Sequence, residues 1–182
     1  MRNGLVRTSM LAGLLLAGAG TAMAQTTVPL PDTSQTTTLT ATVSEQARIQ
    51  VPSGINFAVS DVSAATNATA ANVTVTNIAL ATATKQLKIS VQANAAAFTP
   101  PVGATGTWNA GDVTWNAATW TNATGSSGTL SNSSFGAVAT CSPDVASCST
   151  TGLTFTLGAN SAVKRSGNHT LVMTWKFESI GS

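Results

Sequence analysis

Apolar side chains recur at every second position along much of this chain, and the longest such run closes it. Behind the break Ser166-Gly167-Asn168, the residues His169, Leu171, Met173, Trp175 and Phe177 alternate with Thr170, Val172, Thr174 and Lys176. Period-two alternation among β-branched and aromatic residues predicts a half-buried antiparallel strand whose His169, Leu171, Met173, Trp175 and Phe177 face a core. The same pattern appears in Leu39, Ala41 and Val43, and resumes after Glu45-Gln46 in Ala47, Ile49 and Val51, which predicts one long bent strand or two short ones. Pro52-Ser53-Gly54 reads as a turn, and Ile55, Phe57 and Val59 as the next strand. Further strands are expected through Val73 and Val75, through Leu87, Ile89 and Val91, over Ser134 to Thr140, and through Leu153, Phe155 and Leu157.

The stretches between them carry turn chemistry. Ser63 to Ala71 and Gly125 to Gly128 read as small-residue loops, Ala81 to Lys85 as a connection, and Pro100-Pro101 as a stop to strand pairing. No segment sustains the spacing of three and four that marks an amphipathic helix, and the helix formers Glu and Lys are scarce. About eight to ten short strands with regular turn signals describe an all-β fold. The expected architecture is an antiparallel, immunoglobulin-like β-sandwich, with a barrel as the lesser alternative.

The beginning of the chain follows a different logic. Arg2 and Arg7 precede an apolar run from Met10 to about Ala19, and Ala22-Met23-Ala24 places small residues where a signal peptidase reads them. Residues 1–24 are therefore expected to be a cleaved signal peptide. The run is shorter than the roughly 20 residues a spanning helix takes, and no second one follows, so no membrane span is expected. Residues 25–38, with Pro29 and Pro31 among Thr, Ser and Gln, read as a flexible leader, and residues 39–182 as a single sandwich domain. The destination is the periplasm, the cell surface or the medium.

Loss of the signal peptide changes the charge balance. Of eight basic residues, Arg2 and Arg7 leave with it, so six remain against six acids and the net charge falls to about zero. Such a surface has no basic stripe for a phosphate backbone, which argues against nucleic acid as a partner. It also lacks the repulsion that keeps copies of a protein apart.

Chemistry-bearing residues are few. Cys141 and Cys148, the only cysteines, are expected to form a disulfide closing a short loop, because the exported compartment is oxidising. Their spacing is not that of a redox or zinc motif. His169 is the only histidine, so a catalytic triad or a multi-histidine metal site would have to use it. The acids Asp32, Glu45, Asp61, Asp112, Asp144 and Glu178 are scattered singly, no phosphate-binding glycine loop is present, and no cofactor is expected. The expectation is a protein that is not an enzyme. Trp108, Trp115 and Trp120 stand in a short near-repeat of Thr-Trp-Asn-Ala type; a turn at Ala110-Gly111-Asp112 would bring Trp108 and Trp115 onto one face. These indoles either pack in the core or, if exposed, stack on a sugar ring or anchor a protein interface.

Two segments carry a family resemblance. Val51-Pro52-Ser53-Gly54-Ile55-Asn56-Phe57, and Gly167-Asn168-His169-Thr170-Leu171-Val172-Met173-Thr174-Trp175-Lys176-Phe177, resemble the opening and closing strands of WxL-type bacterial surface domains and of pilin-like sandwiches. The resemblance covers about a fifth of the exported chain, and Trp175-Lys176-Phe177 stands where the WxL pattern has Trp-x-Leu. It implies a cell-surface or appendage role. Two functions follow as expectations. The first is a secreted structural subunit whose partners are itself or other surface proteins, the leader with Leu39, Ala41 and Val43 adding a strand to a neighbouring copy. The second is a glycan-binding or adhesive module built on Trp108, Trp115 and Trp120.

Overall fold

The computed structural model describes residues 27–181, so the expected signal peptide, residues 1–24, lies outside the described residues. The chain divides into two units, Met1–Thr40 and Ala41–Ser182. In the first, residues 27–40 hold neither strand nor helix, and all but Val28 and Asp32 are exposed. Prolines and a threonine run leave this stretch little to bury, and its hydrogen bonds are local: Asp32 accepts from the backbone amide and hydroxyl of Ser34 and from the side-chain Nε2 of Gln35.

The second unit is an all-β sandwich. Its strands are β1 (Gln46–Gln50), β2 (Thr66–Asn67), β3 (Ala71–Ala79), β4 (Gln86–Ala93), β5 (Val113–Trp115), β6 (Ala123–Gly125), β7 (Gly128–Thr129), β8 (Gly136–Cys141), β9 (Cys148–Leu153), β10 (Phe155–Leu157) and β11 (Met173–Ile180). Every strand pairing among them is antiparallel. One layer has the order β11-β4-β8-β6. The other consists of β1-β3-β9 and β2-β10-β5-β7. Only residues 68–70 separate β2 from β3, and only Thr154 separates β9 from β10, so these two sheets run into one another through a bend. The amide of Ala68 bonding to the carbonyl of Phe155 at 2.8 Å holds that continuity.

Strict alternation explains why the central strands form. In β3, Ala71, Val73 and Val75 are buried while Asn72 is exposed, and in β4 Leu87, Ile89, Val91 and Ala93 all point inward. Val73, Val75, Ile89, Val91, Val138, Leu153 and Phe155 make a core sealed from water between the layers. Burying one such side chain contributes about 1.5–3 kcal/mol, so this layer of contacts outweighs any local propensity. Ser90 is also buried although it lies on the other face of β4, where a register shift between Ile89 and Ser90 interrupts pairing with β8.

Several expectations are corrected. Leu39, Ala41 and Val43 form no strand; the ladder begins only at Gln46. Ile55, Phe57 and Val59 keep their alternation, being half-buried between exposed neighbours, yet no strand forms there. The closing strand starts at Met173, and His169 lies before it. Gly125 to Gly128 is not a free loop: Gly125 ends β6 and Gly128 begins β7. The stretch Cys148 to Gly152, too polar to show alternation, is most of β9.

The glycines of β6, β7 and β8 have a shared cause. A Cβ at Gly136 would lie 2.7 Å from Cη2 of Trp115, one at Gly128 would collide with the same ring, and one at Gly125 would lie 2.9 Å from Cδ1 of Trp120. These positions are glycine so that two indoles fit beneath the strands. Gly128→Ala and Gly136→Ala should therefore each destabilise the fold by about 1–3 kcal/mol, the usual cost of overpacking. Gly54→Ala, where a Cβ meets nothing within 4 Å, should be near neutral. Denaturant unfolding checks this, and equal stability of all three variants would contradict it.

Candidate functional site

The two sides of the sandwich are built differently. On one, β6 and β7 are the edges of opposite layers and are joined by a two-residue turn, Ser126 and Ser127, so the chain itself closes the gap. Trp115 Nε1 donates to the carbonyl of Ser126 at 2.9 Å, and the amide of Ser126 bonds to the carbonyl of Val138 at 2.8 Å. On the other side the edges are β1 and β11. Their neighbours β3 and β4 are consecutive strands in opposite layers, which puts both free edges along one flank.

Glu45 clasps one end of that flank. Its carboxylate accepts from the amide of Ala81 at 2.8 Å, from Lys85 Nζ at 3.0 Å and from the hydroxyl of Ser179 at 3.2 Å, tying the start of β1 to the β3–β4 turn and to the end of β11. The Ala81 amide, and then Lys85, hold the Glu45 carboxyl below its ordinary range, so it is ionised at neutral pH. Away from this clasp the flank is apolar and incompletely covered. Ile49 stands beside Val75 in register, on the inner face, and Val75 is sealed from water; Ile49 is nonetheless 42% exposed. Trp175 and Phe177, beside Val91 and Ile89 of β4, also face inward and remain half-buried. Their rings stack at 6.5 Å with an interplanar angle of 20°.

Beyond Gln50 the chain parts from β3, leaving a hollow of about 580 Å³ lined by residues 50–56 and 69–72. Val51, Ile55, Phe57 and Val59 still pack on the core from there. They do so as a covering segment rather than as a ladder strand, which is why their alternation survives without strand pairing. A second cleft, of about 250 Å³, lies by the β3–β4 turn and the disulfide loop; its Lys85 is already engaged by Glu45. No group of three or more His, Cys, Asp or Glu residues that could hold a metal occurs among the described residues. No helix among them is long and apolar enough to cross a membrane.

Cys141 and Cys148 form a disulfide, their Cα atoms 5.9 Å apart. Cys141 ends β8 in one layer and Cys148 begins β9 in the other, so the bond does more than close a loop: it staples the layers where the chain crosses between them. A closed loop this short constrains the unfolded chain by about 2.5 kcal/mol at most.

The three tryptophans are not a recognition surface. Trp108, Trp115 and Trp120 are 5%, 3% and 8% exposed. The 3-10 turn at Ala110–Asp112 does bring Trp108 and Trp115 to one side, as the turn residues foretell, but that side is the core. Trp108 Nε1 donates to the carbonyl of Gly158 at 2.9 Å, and Trp120 Nε1 has no partner among the described residues. The sugar-stacking alternative therefore loses its platform. His169 is half-buried, edge-on to Trp108 with ring centroids 5.2 Å apart, and its Nδ1 shares a 2.9 Å hydrogen bond with the hydroxyl of Thr107. That is a packing role.

What residue patterns missed is the open flank itself, because a strand's place at an edge depends on which pairings form elsewhere. No family model matches the chain, and no curated protein and no solved structure matches it. Acrylamide quenching should find one accessible indole, Trp175, and Trp175→Phe should leave a protein whose tryptophan emission is strongly shielded. Persistent strong quenching in that variant would contradict the buried placement of Trp108, Trp115 and Trp120.

Proposed function

We propose that this protein is a secreted, non-enzymatic structural subunit of a bacterial surface, one that associates with copies of itself. The observation that carries the reading is a strand-patterned segment without a strand: Leu39 is 92% exposed and Val43 71%, although their alternation with threonines is that of a half-buried strand. An apolar, β-patterned segment that finds no ladder in its own domain gains one by adding to the sheet edge of another chain, where main-chain hydrogen bonds supply affinity and alternate side chains supply fit. The free edges β1 and β11 are acceptors of the required kind. The n-region, apolar run and cleavage site at Ala22-Met23-Ala24 support export, and a net charge near zero after cleavage removes a barrier to assembly. The resemblance of Val51 to Phe57 and of Gly167 to Phe177 to WxL-type and pilin-like strands supports a cell-surface setting.

Light scattering on the chain from Gln25 onward, with and without residues 25–43, tests the role of the segment. The intact form should reach a higher mean mass at every concentration above the onset of assembly. Equal masses for the two forms would overturn it.

A further inference from the structure

The exposed edge of β11 carries information about its own partner. β11 pairs with β4 over eight consecutive positions, from Met173↔Ala93 to Ile180↔Gln86, without a register shift. Edge strands are commonly blunted by proline, by a bulge or by shortness. β11 has none of these three, its only edge-blunting feature being the charges Lys176 and Glu178 on its outer face, and the backbone groups on its outer side have no partner among the described residues. On its outer face Lys176 and Glu178 stand two residues apart, 43% and 39% exposed, with Nζ 2.9 Å from Oε1.

We propose that β11 pairs antiparallel with β11 of a second copy, about a two-fold axis through Phe177, joining two four-stranded layers into one eight-stranded sheet. A symmetric antiparallel pairing must centre on a single residue, since only then do the outward-pointing backbone groups meet. Centring on Phe177 sets Lys176 opposite Glu178 of the second copy, and Glu178 opposite its Lys176. Centring one residue earlier sets Lys176 against itself, and one later sets Glu178 against itself. Opposite charges directly across a sheet favour pairing and like charges oppose it, so the strand's own sequence selects this register. On the inner face it sets bulky Trp175 opposite small Ser179, and Phe177 opposite Phe177, covering apolar surface that the single copy leaves half-exposed. The interface is isologous and closes at two copies.

This contact goes beyond the leader-mediated association proposed above and does not require it: deletion of residues 25–43 leaves every residue of the β11 pair in place. The test is charge reversal on the chain from Gln25 onward, followed by sedimentation velocity from micromolar to near-millimolar concentration. Lys176→Glu and Glu178→Lys each turn two attractive cross-strand pairs into repulsive ones, and each variant alone should associate at least tenfold more weakly than the unaltered chain. Mixed in equal amounts, the two variants should associate with each other at close to the unaltered strength, because every charge again meets its opposite. The double variant Lys176→Glu/Glu178→Lys should behave like the unaltered chain. Strictly monomeric unaltered chain, single variants that associate undiminished, or a mixture that fails to recover association would each overturn the proposal. Circular dichroism and denaturant unfolding on each variant check the fold, because Lys176 also lies over the Phe135 ring and Glu178 stands opposite Lys88 on β4; the mixture and the double variant separate a lost pairing from a lost fold.

Discussion

Finding room for two indole rings inside a thin two-layer sandwich is the constraint from which the rest of this molecule follows. Trp115 lies under Gly128 and Gly136, and Trp120 against Gly125, at positions where a single methyl group would strike the rings. The rings fill the space between the layers on the β6–β7 side, and the two-residue turn there draws the edges together over them. That side is finished by the chain's own residues. The disulfide between the end of β8 and the start of β9 adds a covalent tie between the layers beside the β3–β4 turn.

The opposite flank has no such filling. Its edges are a five-residue strand with a register irregularity between Gln46 and Arg48 and an eight-residue strand without one. Ile49, Trp175 and Phe177 face inward there without being sealed. Glu45 ties one end shut through Ala81, Lys85 and Ser179, and the covering segment through Ile55, Phe57 and Val59 occupies part of the remainder. A half-covered apolar flank between two free edges, in a chain with little net charge, is the physical ground for reading this protein as a subunit that assembles.

The central strands β3, β4 and β10 were legible from residues alone, because burial enforces alternation and alternation is visible in sequence; the edge strand β11 was legible because its residues alternate although none is fully buried. The paired cysteines were legible for a different reason: the chain has two thiols, and each has only the other to pair with. Legibility failed wherever tertiary context decides. Leu39, Ala41 and Val43 carry a strand's pattern yet lack a partner strand, and no local signal distinguishes the two situations. Gly125, Gly128 and Gly136 resemble loop glycines until the rings beneath them are known. Cys148 to Gly152 is polar because its alternate side chains are small serines and threonines, so β9 is made by its neighbours β3 and the bridge from Thr121 rather than by its own hydrophobicity. The tryptophans offered a core reading, the commoner case for indoles, and a surface one, and only the packing of the layers separates them.

Under the proposed pairing the β11 edge is open in the single copy and becomes paired when copies meet. Amide hydrogen exchange, followed residue by residue at several protein concentrations, reaches that claim directly. The outward-pointing amides of Met173–Ile180 should exchange rapidly in dilute solution and become protected as concentration rises, while those bonded to β4 stay protected throughout. Protection of the outward amides that is already complete at the lowest concentration, or exchange rates that never change with concentration, would contradict it.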